Sequence, residues 1–327
     1  MHVSLRRALM AGAIFRLAAC NGVNSQSQSL PSEAAYTVVH QGVPFIPMLR
    51  TNRVSNAITA LYPTRKSLVF EGDQTAAAVN IYKIRALPHN PAPIATIHVA
   101  AGCPNGLATD QRGTLYTADN CQGNDVEEYA KGSTTLKSKI TNGISNPLGL
   151  AIDAHGTLYV SNYPAAITVY PYGSTSPSET ITGGGLTDPF GLALDSSGNL
   201  YIADFGAHAV FDLPYGATSV TNLNLSGITE PLGVAVDEAH GYLWETDGQG
   251  NVINVYQLGS TTPFKTIAGN GFPYAISLEN KGRPKGEVVE SDISTHDVYA
   301  FKPGQYTPYA TLSNGISQPI ALLDAKP

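Results

Sequence analysis

A unit of about 42 residues recurs along this chain, and that recurrence restricts the fold more than any other feature of the sequence. Four stretches align: PNGLATDQRGTLYTAD from Pro104, PLGLAIDAHGTLYVSN from Pro147, PFGLALDSSGNLYIAD from Pro189 and PLGVAVDEAHGYLWETD from Pro231. A degenerate fifth opens at Pro273 with PYAISLENKG, and a truncated sixth, PIALLD, opens at Pro319. The opening prolines lie 43, 42, 42, 42 and 46 residues apart. Each unit continues through a third apolar piece and a turn, as in ITVYPYGSTSP and INVYQLGSTTP, into a short fourth piece such as SETITG or FKTIAG. Four short strands in such a period are a β-propeller blade. A (β/α)8 barrel needs a helical pattern in every unit of this size, and none is present.

The local chemistry points the same way. Gly and Pro number 32 and 22 of 327 residues, enough to supply many turns, while charged residues are only 13% and disfavour long solvated helices. An Asp-x-x-Gly follows the first strand at Asp110/Gly113, Asp153/Gly156 and Asp195/Gly198. There the Asp side chain can hold the turn's backbone N–H groups and Gly supplies the positive φ. Second strands such as Leu200-Tyr201-Ile202-Ala203 are near-continuous apolar runs, as sheets packed on both faces require. A Pro at the head of each first strand is compatible with a strand that begins there and lines a central channel. Trp244 and the 17 tyrosines read as packing between blades, and the Gly-Ser-Thr at 173–175 and 259–261 as an outer hairpin turn.

Blade count follows from the chain ends. Ser67 to Ile97 matches second, third and fourth strands, with Asp73 in register with Asp119, Asn162 and Asp204, and it has no first strand ahead of it. PIALLD at Pro319 is a first strand without followers. Joining the two closes an all-β, six-bladed ring; YTVVH and VPFIPML, within Ala34 to Lys66, leave seven blades as the alternative. The domain reading is a signal peptide with lipobox over 1–20, a polar tether and pre-propeller segment over 21–66, and the propeller over 67–327.

The N-terminus carries the address. Arg6 and Arg7 precede an apolar run from Ala8 to Ala19, the order of an export signal and too short to span a bilayer. Leu17-Ala18-Ala19-Cys20 resembles a bacterial lipobox with Cys20 as the lipidated residue, although Arg16 interrupts the apolar stretch. The polar sequence that follows suits a flexible tether. Lipidation of Cys20 leaves Cys103 and Cys121 of the three cysteines, an even pair in an oxidising compartment. If Asp110 pairs with Leu115 across the first turn of its unit, paired residues sum to about 225; Cys103 and Cys121 sum to 224 and should face each other as a disulfide. The expected location is the bacterial cell envelope, with membrane contact only through the lipid. A formal net charge of −6 and a pI of 5.7 argue against nucleic acid as a partner.

The consensus P-x-G-[LV]-A-x-D-x-x-G-[TN]-L-Y-x-[AS]-[DN] resembles the NHL-repeat family of propellers over roughly residues 67 to 324. The likeness extends to Asp204 with His208 and Val210, Asp247 with Asn251 and Ile253, and Asp292 with His296 and Val298; Asp73, Asp119 and Asn162 depart from that step. The resemblance implies a fold and little about function, because such propellers include binding modules, sensors, lyases and lactonases. Gluconolactonase-type rings, similar in repeat style, bind a divalent metal with Glu, Asn and Asp at the central mouth.

Two sets of residues invite a functional reading. The Asp/Asn at 73, 119, 162, 204, 247 and 292 recur once per unit, as a structural hydrogen bond in every blade would, and His208 and His296 read as partners of Asp204 and Asp292. The residues that break the symmetry flank the first-strand prolines: Cys103, Asn146, Asp188, Glu230, Phe272 and Gln318 before, and Asn105, Leu148, Phe190, Leu232, Tyr274 and Ile320 after. The expected ligand rim is Asn105, Asn146, Asp188, Phe190, Glu230 and Tyr274, in which Asn146, Asp188 and Glu230 offer oxygens to a hard cation such as calcium. The G-x-S-x-G elbow, H-E-x-x-H, P-loop and dinucleotide fingerprint are all missing from the sequence. The leading reading is therefore a module that binds an envelope protein, a small molecule or a saccharide. The alternative is a metal-dependent hydrolase or lactonase, which needs a bound divalent ion at one mouth.

Overall fold

The computed structural model describes residues 68–99, 102–279 and 286–325. Cys20, the proposed signal and tether, and the strand-like pieces before Ser67 lie outside the described residues. Among the described residues, twenty-four strands form six four-stranded antiparallel sheets. The first sheet has the order β24-β1-β2-β3, so β24 (Pro319–Ala325) supplies the first strand that β1 (Leu68–Asp73), β2 (Ala78–Lys83) and β3 (Ala95–His98) lack. The remaining blades are consecutive: β4–β7 from Pro104, β8–β11 from Pro147, β12–β15 from Pro189, β16–β19 from Pro231 and β20–β23 from Pro273. Six blades, closed by the two ends of the propeller segment, is the observed count.

Every first strand begins on its proline, where a missing N–H costs no ladder bond. That proline faces the recurring Asp or Asn at the end of the second strand: Pro104 opposite Asp119, Pro147 opposite Asn162, Pro189 opposite Asp204, Pro231 opposite Asp247, Pro273 opposite Asp292 and Pro319 opposite Asp73. The register shifts immediately after each proline, so a bulge recurs in every blade. In the hairpin of the two cysteines, Thr109, not Asp110, pairs with Leu115, one residue tighter than the sequence suggested. The cause is the turn: Asp110 gives its N–H to the Thr114 carbonyl, while its Oδ1 accepts from the N–H groups of Arg112 and Thr114. Asp153 and Asp195 repeat the arrangement, and Gly113, Gly156 and Gly198 have φ of 80°, 86° and 85°. Cys103 and Cys121 are bonded, with Cα atoms 5.4 Å apart.

The core is six seams, one between each pair of neighbouring blades. Leu68, Phe70, Val79 and Ile81 of the first blade meet Leu107, Leu115 and Tyr129 of the second. Val69 and Tyr82, on the opposite face of the same sheet, meet Val289, Val298 and Leu312 of the sixth. Both faces of every sheet are thus apolar, which explains the unbroken apolar runs of the sequence. Trp244 is 2% exposed and packs near Phe301 and Tyr306 of the next blade, as expected for a packing residue.

Glycine at the third position of P-x-G is dictated by the ring. A Cβ on Gly106, Gly149 or Gly191 would lie 2.3, 2.2 or 2.5 Å from the carbonyl oxygen of Leu148, Phe190 or Leu232 in the next blade. Adjacent first strands close the channel at that distance only without a side chain. Two blades reinforce the contact with a hydroxyl. Ser161 accepts from Gly149 N–H and donates to the Phe190 carbonyl at 2.7 Å; Thr246 accepts from Gly233 N–H and donates to the Tyr274 carbonyl at 2.7 Å.

Candidate functional site

The six first strands enclose a channel of about 660 Å³. The residue after each proline lines it, so Asn105, Leu148, Phe190, Leu232, Tyr274 and Ile320 come together as one collar, as the sequence spacing predicted. Leu148, Phe190, Leu232 and Ile320 are buried, and Asn105 and Tyr274 are half-buried. Phe190 and Tyr274 meet edge to face, with ring centroids 5.3 Å apart and planes at 86°. The collar is therefore largely apolar with an aromatic side, and Asn105 contributes its amide.

The residues before the prolines divide into different fates. Cys103 is consumed by the disulfide, and Phe272 is buried with its ring edge against Gly248, where any Cβ would collide. Asn146 is exposed with φ of 44°, and its backbone N–H is given to Asn124 of the neighbouring blade. Asp188 and Glu230 are 8% and 6% exposed, on adjacent blades. The Asp188 backbone N–H is held by Asp204, yet its Oδ1 is buried without a hydrogen-bond donor. Burial, and secondarily the Asp204 charge, pushes the Asp188 carboxyl up to about 7. Burial, and then the Asp188 charge, raises the Tyr274 phenol well above its ordinary value, so the acid and the aromatic wall share one environment. A carboxyl of this kind accepts a donor or cation readily, and it gains or loses a proton near neutral pH.

Four of the six recurring Asp/Asn are spent on backbone at both oxygens. Asp204 accepts from the N–H groups of Thr187, Asp188 and Ala207, and Asp247 from those of Thr229, Glu230 and Gly250. Asp292 accepts from Phe272, Ser294 and Thr295, and Asp73 from Ala76, Ser317 and Gln318. Each ties the segment entering its blade's first strand to the turn after the second. His208 and His296 do not pair with the Asp204 and Asp292 carboxylates. They stand at φ of 52° and 63°, as Ala77, Asn124 and Asn251 do at 50°, 47° and 52°, in the turn between second and third strands. Asn and His tolerate that left-handed conformation better than most residues, which accounts for the [HN] of the motif. The His208 ring instead contacts the Thr229 carbonyl.

In the second blade the recurring Asp119 lies together with two carboxylates that sequence reasoning did not single out, Asp125 and Glu127. Among the described residues, Asp119, Asp125 and Glu127 are the one group of three His, Cys, Asp or Glu side chains whose ligand atoms all fall within 4.8 Å of one another. The signal available in the sequence was the departure of DNCQGNDVE from the other units at the same position.

Fold and collar define a six-bladed β-propeller with a central channel. No family model and no curated protein matches the chain, so the likeness to NHL repeats rests on the motif. Among solved structures, the chain is similar to one in the crystal structure of a nidogen/laminin complex, with a TM-score of 0.65 and 17% identity over 80% of this chain and 98% of that one. At that identity the likeness establishes the fold.

Proposed function

We propose that this propeller is an exported, lipid-anchored binding module of the bacterial envelope. Its partner, a protein or a saccharide-bearing ligand, is held at the Phe190/Tyr274 mouth through a donor or cationic group placed against Asp188. The observation that carries the reading is the Asp188 carboxylate, buried without a donor for Oδ1 beside an aromatic wall. A buried acceptor left unsatisfied in the free protein is where a partner's donor gains most. Export is supported by the basic and apolar N-terminus ending in Cys20 and by the Cys103–Cys121 bond, since disulfides persist in oxidising compartments. The chain similar in fold comes from a protein–protein complex, which agrees with a protein partner.

The experiment is site-specific photo-crosslinking in intact cells. Tyr163 is 44% exposed in the turn that bonds to Asn146, and Tyr215 is 62% exposed on the opposite face, over Gly198. Each is replaced in turn by p-benzoylphenylalanine. The proposal expects a discrete adduct from position 163, lost on adding Asp188→Ala, and none from 215. Adducts equal from both faces, or a 163 adduct indifferent to Asp188→Ala, refute it. Metabolic labelling with an alkyne palmitate, lost in Cys20→Ala, tests the anchor.

A further inference from the structure

The repeat serves as its own control, and the second blade departs from it at one place. In the first, fourth, fifth and sixth blades both oxygens of the recurring Asp accept backbone N–H groups. Asp119 accepts at Oδ1 alone, from Cys121 at 3.1 Å; its Oδ2 is buried with no donor, in a residue that is 0% exposed. The task of tying the incoming segment to the turn is performed here by the covalent Cys103–Cys121 bond. That bond releases the carboxylate from structural duty.

The surroundings changed with it. Asp125 is the cross-strand partner of Asp119, a position held by Ala78, Ala166, Ala209 and Val252 in the first, third, fourth and fifth blades; the sixth has Asp297 there, but both oxygens of its partner Asp292 are taken by backbone N–H groups. Glu127 and Lys139 occupy the paired positions that hold Asn80 with Thr96 and Asn254 with Thr266 elsewhere. Tyr82, Tyr170 and Tyr256 donate their hydroxyls to backbone carbonyls of the preceding blade, whereas Tyr129 at the same position donates to Glu127 Oε2. Gly123 keeps the space clear: a Cβ there would lie 2.9 Å from Asp119 Oδ2 and 3.0 Å from each Asp125 oxygen. The two donorless atoms, Asp119 Oδ2 and Asp125 Oδ1, both face that space.

Charge selects the ligand. Asp119, Asp125 and Glu127 are 0%, 3% and 0% exposed, and among the described residues the one cation paired with them is Lys139, 2.8 Å from Asp125 Oδ2 and from Glu127 Oε1. Three carboxylates against one ammonium leave two negative charges in a buried site, which desolvation makes costly. We propose that the second-blade hairpin from Asp119 to Glu127 is a binding site for a hard divalent cation, calcium in an extracellular setting. Its ligands are Asp119, Asp125 and Glu127. Three carboxylates offer up to six oxygens, the ligand type and number calcium takes at 2.3–2.6 Å. The Lys139 side chain is 32% exposed, so its ammonium can turn to solvent as the ion enters. This site is separate from the channel mouth and stands or falls independently of the function proposed there.

The test is thermal melting and calorimetric titration of the full-length protein with CaCl2, after chelator treatment. Wild type is expected to bind one calcium and melt several degrees higher, and Asp125→Asn to lose both effects. Lys139→Gln, with the competing ammonium gone, is expected to bind at least tenfold tighter and show a larger shift. Terbium in place of calcium should emit when tyrosine is excited, through Tyr129, with the signal sharply reduced in Tyr129→Phe. Asp188→Asn is expected to leave every calcium effect intact, which separates this site from the mouth. Absence of any calcium effect in both wild type and Lys139→Gln overturns the proposal, as does binding that survives in Asp125→Asn. Should Lys139→Gln fail to fold, the comparison of wild type with Asp125→Asn decides alone.

Discussion

Glu71 is the sharpest test of how this ring manages buried charge. It sits on β1, 0% exposed, with Oε2 accepting from Asn80 Nδ2 at 3.0 Å and Oε1 without a partner. Burial pushes its carboxyl from 4.5 up to about 8, against the smaller opposing effect of Asn80. The unfolded chain releases this proton near 4.5 and the folded chain keeps it until about 8. Stability from this group is therefore complete below pH 4.5 and is lost as pH rises through 8. At ~1.4 kcal/mol per unit, the loss by pH 7 is about 3 kcal/mol, and about 5 kcal/mol by pH 8 and above. For a domain of this size that is on the order of 10 °C in Tm at pH 7. Glu71→Gln keeps an acceptor for Asn80 and removes the titration. The assay is Tm by circular dichroism from pH 4 to 9 for both proteins. The Tm of Glu71→Gln relative to wild type should climb steadily between pH 5 and 8 and level off beyond. A Tm difference constant across that range refutes the argument, whatever its sign.

Four further outcomes follow from the same structure. Gly149→Ala places a Cβ 2.2 Å from the Phe190 carbonyl and should cost about 1–3 kcal/mol, read as a lower urea midpoint; an unchanged midpoint would mean the ring opens freely at that seam. Reducing Cys103–Cys121, bonded residues 18 apart, should cost about 3 kcal/mol, checked by denaturation with and without reductant beside Cys103→Ser/Cys121→Ser. Asp204→Ala strands the N–H groups of Thr187, Asp188 and Ala207 and should destabilise by several kcal/mol, on the order of 1–3 for each group left buried, with Asp204→Asn milder. Asp188, raised from 3.8 to about 7, loses its stabilising contribution as pH climbs through 7, so Asp188→Asn should flatten part of the fall in Tm between pH 4 and 7.

The fold was legible because its determinants are local and repeated. P-x-G, Asp-x-x-Gly and the terminal Asp each specify a strand start, a turn and a strand end within one unit, and the missing first strand of the Ser67–Ile97 segment announced the closure by β24. The disulfide was legible from hairpin register despite an error of one residue, since a rim pair tolerates that slip. The collar residues were legible by position alone. Their state was not: the spacing that placed Asp188, Asn146 and Glu230 at one rim could not say that Asn146 is exposed while the two acids are buried.

By itself, the sequence determined the four-stranded blades, the closing strand and the cysteine pair, because these depend on residues a turn or a strand apart; the choice of six blades over seven and the exact hairpin register came from the structure. Only the tertiary structure decided why P-x-G needs its glycine, since the carbonyl it must clear belongs to the next blade, with Gly149 and Phe190 separated by about 40 residues of chain. It also decided which acids are spent and which are free. Asp73 is satisfied by Ser317 and Gln318 from the far end of the chain, while Asp119 keeps an oxygen without a donor. Burial and the supply of backbone donors are properties of the assembled ring, and they convert six similar residues in a repeat into five structural ties and one candidate ligand.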